Sequence, residues 1–189
     1  MAHKRRGEFV LSENKVGLRR LRFSDIRDIY EHVNDKQIAK WTVAIPHPYK
    51  TEDAEEFIRL TNKMIRQNKR RTFGIIYKET DSLVGIIDLF RINWTDRNGE
   101  IGYWIGRKFW NRGVATEAIH LILKYAFKEL KLHRIYARIF EDNIASARAL
   151  EKNGFKHEGL QRHAAKVRNR WRNFHLYAIL STEFRIHKR

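Results

Sequence analysis

One stretch, EIGYWIGRKFWNRGVATEA at residues 100–118, decides how the chain folds. It begins with Glu100–Ile105, a short apolar run that predicts a β-strand. From Ala118 onward, apolar residues recur at helical spacing as far as Leu130, which predicts a long amphipathic helix. A strand, a glycine-containing turn and a helix N-terminus therefore follow one another here.

The turn inside this stretch predicts a site for an anion. The first N–H groups of a helix have no intrahelical partner, and the helix dipole favours negative charge beside them. Gly113 lets the backbone approach a phosphate closely, and Arg107, Lys108 and Arg112 add positive charge. No Gly-Lys-Ser/Thr follows, which excludes a P-loop. The glycine spacing and the late position exclude a dinucleotide-binding fingerprint.

Outward from this stretch, hydrophobic periodicity and turn signals predict a mixed α/β fold. The predicted elements are a strand at Val16–Phe23, helices at 24–34 and 51–68, strands at Thr72–Tyr77, Leu83–Ile92 and Glu100–Ile105, a helix to Leu130, a strand at His133–Phe140, a helix at Asn143–Asn153, and strands at Phe155–Ala165 and Phe174–Ser181. We expect Thr51 to cap the second helix, residues 36–50 to form a loop, and the basic segment Lys166–Asn173 to separate the last two strands. The order β-α-α-β-β-β-α-β-α-β-β predicts parallel and antiparallel pairing in one sheet, with helices on both faces.

The composition predicts one domain over residues 1–189, preceded by a basic N-terminal extension at 1–13. The chain has 189 residues, of which 42% are hydrophobic, enough to build a core. It has no cysteine, which excludes disulfides, zinc–thiolate sites and cysteine nucleophiles. No apolar run approaches 18 residues, so no transmembrane helix is predicted, and we expect a cytoplasmic location.

The charge is strongly positive. Lys and Arg number 39 against 22 Asp and Glu, a formal net charge of +17. Such a field favours polyanionic partners such as RNA, a ribonucleoprotein or a phosphorylated cofactor. The alternative interpretation is thermal adaptation, which enriches charged residues and avoids cysteine.

Two motifs together resemble the GCN5-related N-acetyltransferase (GNAT) superfamily over about residues 14–182. The first is Trp110-Asn111-Arg112-Gly113-Val114-Ala115, which matches the phosphate-binding motif of that family. The second runs from Asn143 through Ser146 and Leu150-Glu151 to Gly154-Phe155. The Trp in the first position of the first motif is similar to the RimJ/RimL-like branch, which acetylates the N-termini of ribosomal proteins. The resemblance implies the GNAT fold, whose central sheet is splayed.

The resemblance also implies acetyl-CoA as co-substrate and no metal. In this family the strand before the phosphate turn binds the pantetheine arm, and an N–H of that strand polarises the thioester carbonyl. The cofactor-binding residues so implied are Tyr103, Trp104, Ile105, Arg107, Arg112, Gly113, Val114, Ala115, Thr116, Asn143, Arg148 and Lys152. Asn143 could instead serve only as a helix cap.

The family resemblance identifies the catalytic acid and base less directly than it identifies the cofactor site. Many family members protonate the leaving thiolate with a Tyr at the position that Leu150 occupies here, and a leucine cannot do so. The RimL-like branch uses a Ser one turn earlier, which matches Ser146. Ala165 stands where the branch sometimes has a basic Glu, so Glu100 is the remaining carboxylate candidate.

The expected acceptor is the N-terminal amine of a protein such as a ribosomal protein, with Trp41, His47, Arg170 and Trp171 as candidate acceptor contacts. An α-amine has a pKa of about 7.7–8.0 against about 10.4 for lysine, so it needs little help from a base. The alternatives are a small-molecule amine acetyltransferase of the same fold, for a polyamine or an antibiotic, and an RNA-binding module built on the basic surface. The sequence is compatible with a monomer or a homodimer and gives no sign of a membrane partner.

Overall fold

The computed structural model describes residues 9–185. Its strands are β1 (Leu11–Ser12), β2 (Val16–Arg19), β3 (Arg71–Tyr77), β4 (Ser82–Asn93), β5 (Asn98–Ile105), β6 (Arg134–Phe140), β7 (Lys156–Val167) and β8 (Arg170–Leu180). Its α-helices are α1 (Ile26–Val33), α2 (Lys36–Lys40), α3 (Thr51–Arg66), α4 (Val114–Lys124) and α5 (Ile144–Glu151). The predicted α/β class and the order of the main elements are confirmed.

The eight strands form one sheet in the order β1-β2-β3-β4-β5-β6-β8-β7. Only β5 and β6 pair in parallel, as expected where a helix, α4, connects them. Their ladder covers only Asn98–Glu100, after which β5 stays paired with β4 as far as Ile105. Within the described residues the two strands therefore diverge beyond Glu100, which is the predicted splay of the central sheet.

Helices cover both faces of the sheet because successive strand residues point to opposite sides. On one face Ile75 and Ile87 pack with α4 in the larger core cluster. On the other face Ile76 and Ile86 pack with α1 and α3 in a second cluster. No helix within residues 9–185 is both long and apolar enough to cross a bilayer.

Two predictions near the second helix are wrong. Residues 36–50 are not all loop, because α2 forms at Lys36–Lys40, where the Asp35 side chain caps it by accepting from the Gln37 N–H at 2.7 Å. Thr51 is the first residue of α3 rather than its cap. Lys50 occupies the cap position, and its backbone N–H donates to the Asp53 carboxylate at 2.7 Å.

The chain ends and the last hairpin also differ from expectation. Of the predicted extension at 1–13, residues 1–8 lie outside the described residues, while Leu11–Ser12 form β1 against β2. The segment Lys166–Asn173 is not a separating loop. Instead β7 and β8 run almost to their turn, where Arg168 and Asn169 have left-handed φ angles of 48° and 63°. The two strands make one long basic hairpin.

Candidate active site

The turn between β5 and α4 leaves helix donors open for an anion. Gly113 is the residue before α4 and has φ 80°, a left-handed conformation that favours glycine. The first intrahelical bond runs from Glu117 N to Gly113 O, so the N–H groups of Val114–Thr116 have no partner inside the helix. The Trp110 indole donates to the carbonyl of Ile105 at 2.7 Å and fixes the start of the turn against the strand.

Cations surround this turn. Lys15, which the sequence did not single out, donates from Nζ to the Arg112 carbonyl at 3.1 Å. The Arg112 guanidinium lies 5.8 Å from the ring centre of Phe109. Arg107 instead forms an ion pair with Asp35, at 3.7 Å between Nη1 and Oδ2. Lys15 belongs to no motif and comes to the turn only because β2 packs beside α4, so no sequence signal marked it.

Glu117 attaches β2 to α4. Its carboxylate accepts from the backbone N–H of Lys15 at 2.8 Å and from that of Val16 at 3.3 Å. An acidic residue in the first turn of a helix is favourable against the dipole. Here it also holds Lys15 beside the turn that precedes α4.

The start of α5 brings two hydroxyl groups together. Asn143 is the cap, because its side-chain oxygen accepts from the Ser146 N–H at 3.2 Å. The Tyr103 hydroxyl, reaching from the diverging end of β5, donates to Ser146 Oγ at 3.1 Å. Burial raises the pKa of Tyr103 to about 12, so the phenol keeps its proton at neutral pH. The sequence pointed to Tyr103 through its backbone alone, and the contact with Ser146 requires the fold.

The remaining predicted cofactor residues lie on α4, α5 and β5. Arg148 and Lys152 are exposed and stand four residues apart on one face of α5. The Asn153 amide donates to the Thr116 carbonyl at 3.1 Å and joins the two helices. Trp104 packs into the core on the α1 and α3 face, opposite to Tyr103. Leu150 is fully buried, so it serves the core.

Glu100 lies where β5 and β6 begin to diverge and is only 4% exposed. Arg138 Nε donates to one carboxylate oxygen at 3.0 Å, and Arg91 Nη1 donates to the other at 3.1 Å. Guanidinium groups therefore hold both oxygens of the Glu100 carboxylate. These contacts favour a positioning role over that of a general base.

A cavity of about 310 Å³ opens beside Glu100. Its lining residues are Arg91, Asn98, Arg134, Tyr136, Arg138, Gln161 and Leu176. Arg134 is neutralised by Glu158, which accepts two hydrogen bonds from it at 2.6 Å. Burial, and then the charge of Glu100, raise the pKa of Tyr136. The sequence analysis missed this cavity, although alternate positions 134, 136 and 138 of β6 carry its polar residues and could have indicated an open sheet face.

The structure places the four predicted acceptor residues in two kinds of environment, one packed and one exposed. Trp41 packs against the cluster of Phe140, Val167 and Phe174, so the segment after α2 meets the tip of the β7–β8 hairpin. Arg168 strengthens this junction by donating to the carbonyl of Ile45 at 3.0 Å.

The other three acceptor candidates lie on the surface. His47 and Arg170 are exposed. Trp171 is 59% exposed and stacks on His163 with ring centres 6.1 Å apart. Within residues 9–185, no group of three or more His, Asp or Glu side chains is arranged to hold a metal ion.

Comparison with known proteins gives a consistent family match. The model of the acetyltransferase (GNAT) domain matches residues 15–156. The uncharacterized N-acetyltransferase YnaD of Bacillus subtilis is 33% identical over 92% of this chain and 98% of its own length. A GNAT-family acetyltransferase from Bacillus anthracis is 29% identical, with a TM-score of 0.81 over 92% of this chain and 99% of that one.

Of two further matches, one has an acceptor amine in its name. A spermidine N(1)-acetyltransferase from Vibrio cholerae is 30% identical over 77% of this chain and 82% of its own length. Mycobacterium smegmatis RimJ, solved with CoA-disulfide, shares the fold at 24% identity, with a TM-score of 0.83 over 94% of this chain and 87% of that one. The comparisons therefore agree on the reaction type and leave the acceptor amine open.

Proposed function

This chain belongs to the GNAT family of acetyltransferases and is an acetyl-CoA-dependent N-acetyltransferase; from that premise we propose that its acceptor is the N-terminal α-amine of a protein, such as a ribosomal protein. The observation that carries this proposal is the arginine-lined cavity beside Glu100. No carboxylate lines this cavity within residues 9–185, and the two that pair with its arginines, Glu100 and Glu158, are thereby engaged in ion pairs. A polyamine such as spermidine needs free carboxylates around its several ammonium groups, and this cavity repels them instead.

The residues around the splay fit acetyl-CoA. The free N–H groups of Val114–Thr116, with Lys15 and Arg112 nearby, suit a pyrophosphate. The edge of β5 beyond Glu100 has no strand partner on its β6 side among the described residues, which leaves backbone groups for the pantetheine arm. A side chain at position 113 would force a left-handed residue into strain, so glycine keeps the turn open.

The reaction we propose is direct attack in a ternary complex. The neutral acceptor nitrogen forms a bond to the thioester carbonyl carbon, the carbon–sulfur bond breaks, and the nitrogen gives its extra proton to water. A backbone N–H of Tyr103–Ile105 polarises the carbonyl oxygen, as an oxyanion hole does. Ser146 Oγ donates a hydrogen bond to the departing sulfur as negative charge develops there, and the Tyr103 hydroxyl strengthens this bond by donating to Ser146 Oγ. Coenzyme A leaves as a thiolate and takes its proton from solvent.

The α-amine acceptor also fits a cavity whose lining, in the part of the chain that the structure describes, includes no carboxylate to act as a base. An N-terminal amine, with a pKa of about 7.7–8.0, is partly neutral near pH 7, whereas a lysine amine with a pKa of about 10.4 is almost fully charged. Positioning and carbonyl polarisation then supply most of the rate enhancement.

The proposal is tested by measuring free-thiol release from acetyl-CoA with a panel of acceptors. The panel contains peptides with free N-termini, the same peptides with blocked N-termini and one lysine, spermidine, and an aminoglycoside. We expect the highest kcat/KM with the free N-termini. A higher kcat/KM for spermidine or the aminoglycoside would contradict the proposal and assign the enzyme to small amines.

A further inference from the structure

The cavity beside Glu100 carries more positive charge than its own residues neutralise. One carboxylate, Glu100, is shared by Arg91 and Arg138, while Arg134 is neutralised by Glu158. One positive charge is therefore left over at the cavity. Arg91 is the accessible member of this set, because its side chain is 58% exposed while that of Arg138 is 27% exposed.

The backbone of Arg91 adopts an unfavourable conformation that directs its side chain to the cavity. Its φ is 51°, in the left-handed region that a non-glycine residue adopts at some cost. The residue lies where the pairing of β4 with β5 becomes irregular, between Phe90 and Asn93. A bulge of this kind redirects a side chain, and here the guanidinium is directed to Glu100 at the cavity.

A second observation points to a missing hydrogen-bond donor. Gln161 lines the same cavity, and its side-chain oxygen is buried without a partner among residues 9–185. A buried amide oxygen that accepts no hydrogen bond is costly, so native structures usually provide a partner or a ligand. A peptide N–H in the cavity would supply the donor.

From these observations we infer that the cavity is an acceptor subsite for an anionic group carried close to the reacting amine. The inference rests on the proposed function and narrows it to N-termini with Asp or Glu in the first few residues after the amine. Arg91 and Arg138 bind the acidic side chain of the acceptor, and the Gln161 oxygen accepts from one of its N–H groups. Glu100 is a positioning residue that holds the two guanidinium groups in place.

The inference is tested with peptides that differ only in the charge of two side chains. Three peptides share the first residue and carry Glu, Gln or Lys at the second and third positions, and kcat/KM is measured for each. Because a hydrogen bond between charged groups is worth more than a neutral one, we expect the Glu peptide to exceed the Gln peptide about tenfold, with the Lys peptide lowest. Equal values for all three peptides would overturn the inference and leave the proposed function standing.

Variants assign the preference to this cavity. Arg91→Gln should bring the Glu-to-Gln ratio close to one, and Arg91→Glu should favour the Lys peptide. Arg59→Gln is the matched control, because Arg59 is exposed on α3, outside the cavity, and the same charge is removed. Thermal melting verifies that each variant is folded. A preference that survives in both folded Arg91 variants would contradict the assignment to Arg91.

A final experiment distinguishes an acidic residue within a protein N-terminus from a free acidic amino acid. It also distinguishes failure of the anion subsite from failure of the proposed function. Free glutamate and the dipeptide Ser-Glu are assayed beside the Glu peptide. Faster turnover of free glutamate, lost in Arg91→Gln, would support the anion subsite and contradict the protein acceptor. No turnover of any peptide, with normal turnover of spermidine, would overturn both.

Discussion

At the scale of single residues, the contact between Tyr103 and Ser146 is the most informative. The sequence motif marks Ser146, but only the divergence of β5 from β6 brings the Tyr103 phenol to within 3.1 Å of it. With Leu150 buried in the core, the proposed mechanism assigns the contact with the leaving sulfur to Ser146.

Ser146→Ala should lower kcat by about 10², the low end of the range for general acids, because a thiolate leaves easily. The dissociation constant of acetyl-CoA, measured by calorimetry, should change little. Ser181→Ala is the control, since that hydroxyl pairs with His133 at 3.1 Å on the last strands, outside the site. Unchanged kcat in Ser146→Ala would remove the serine from the mechanism.

Glu100 is the residue for which the structure alters the interpretation of the sequence. The sequence left Glu100 as the remaining carboxylate candidate for the base, yet arginines hold both of its oxygens. The sequence could not show this, because Arg91 and Arg138 come from different strands and meet Glu100 only in the folded sheet.

If Glu100 only positions these arginines, Glu100→Gln should lower kcat/KM without moving the acidic limb of the pH–rate profile. That limb should report the acceptor amine, near a pKa of about 7.7–8.0, and should shift when the first residue of the peptide is changed. Glu158→Gln provides a comparison in which another arginine of the cavity loses its partner. An acidic limb that disappears in Glu100→Gln would restore Glu100 as the base.

At the scale of elements, the sequence predicted the β5–turn–α4 unit well because its signals are local. The left-handed Gly113 and the free helix donors follow from neighbouring residues. Elements that depend on distant contacts were predicted less well. The β7–β8 hairpin extends through Lys166–Asn173 because cross-strand pairing outweighs a polar composition that is typical of a loop.

Gly113→Ala should weaken acetyl-CoA binding by shifting the N–H groups at the start of α4. The nearest atom to the added Cβ would be Lys15 Nζ at 3.7 Å, so the cost is backbone strain rather than a clash, about 1–2 kcal/mol of stability. Gly154→Ala is a matched control, since its φ of 85° gives similar strain after α5. Both should unfold at lower denaturant concentration, and only Gly113→Ala should lose acetyl-CoA affinity in calorimetry. If Gly113→Ala bound acetyl-CoA as tightly as Gly154→Ala does, the turn would be excluded as the phosphate site.

At the scale of the whole molecule, the net charge of +17 remains open to two interpretations, RNA association and thermal adaptation. The structure refines where RNA contact can be tested. Arg168 and Arg172 of the basic hairpin have structural partners in the Ile45 carbonyl and Asp142, so their removal would also disturb the hairpin. Lys166 and Arg170 are exposed on the same hairpin and are better probes.

If the hairpin contacts RNA, affinity for ribosomal RNA should fall steeply with salt, because cations released from phosphates drive such binding. Replacing both Lys166 and Arg170 with Gln should reduce the slope of log K against log salt by about one to two and leave acetyl-CoA affinity unchanged. A wild-type protein without RNA affinity at low salt would contradict the RNA interpretation.

The central claim is that the enzyme acetylates a protein N-terminus, and mass spectrometry of one product tests it most directly. The enzyme is given acetyl-CoA and a peptide with a free N-terminus, acidic residues at positions two and three, and an internal lysine. Fragmentation of the product then locates the acetyl group. We predict a single acetyl group on the α-amine, formed in step with thiol release. An acetyl group on the lysine, or a peptide that stays unmodified while spermidine is acetylated, would contradict the account.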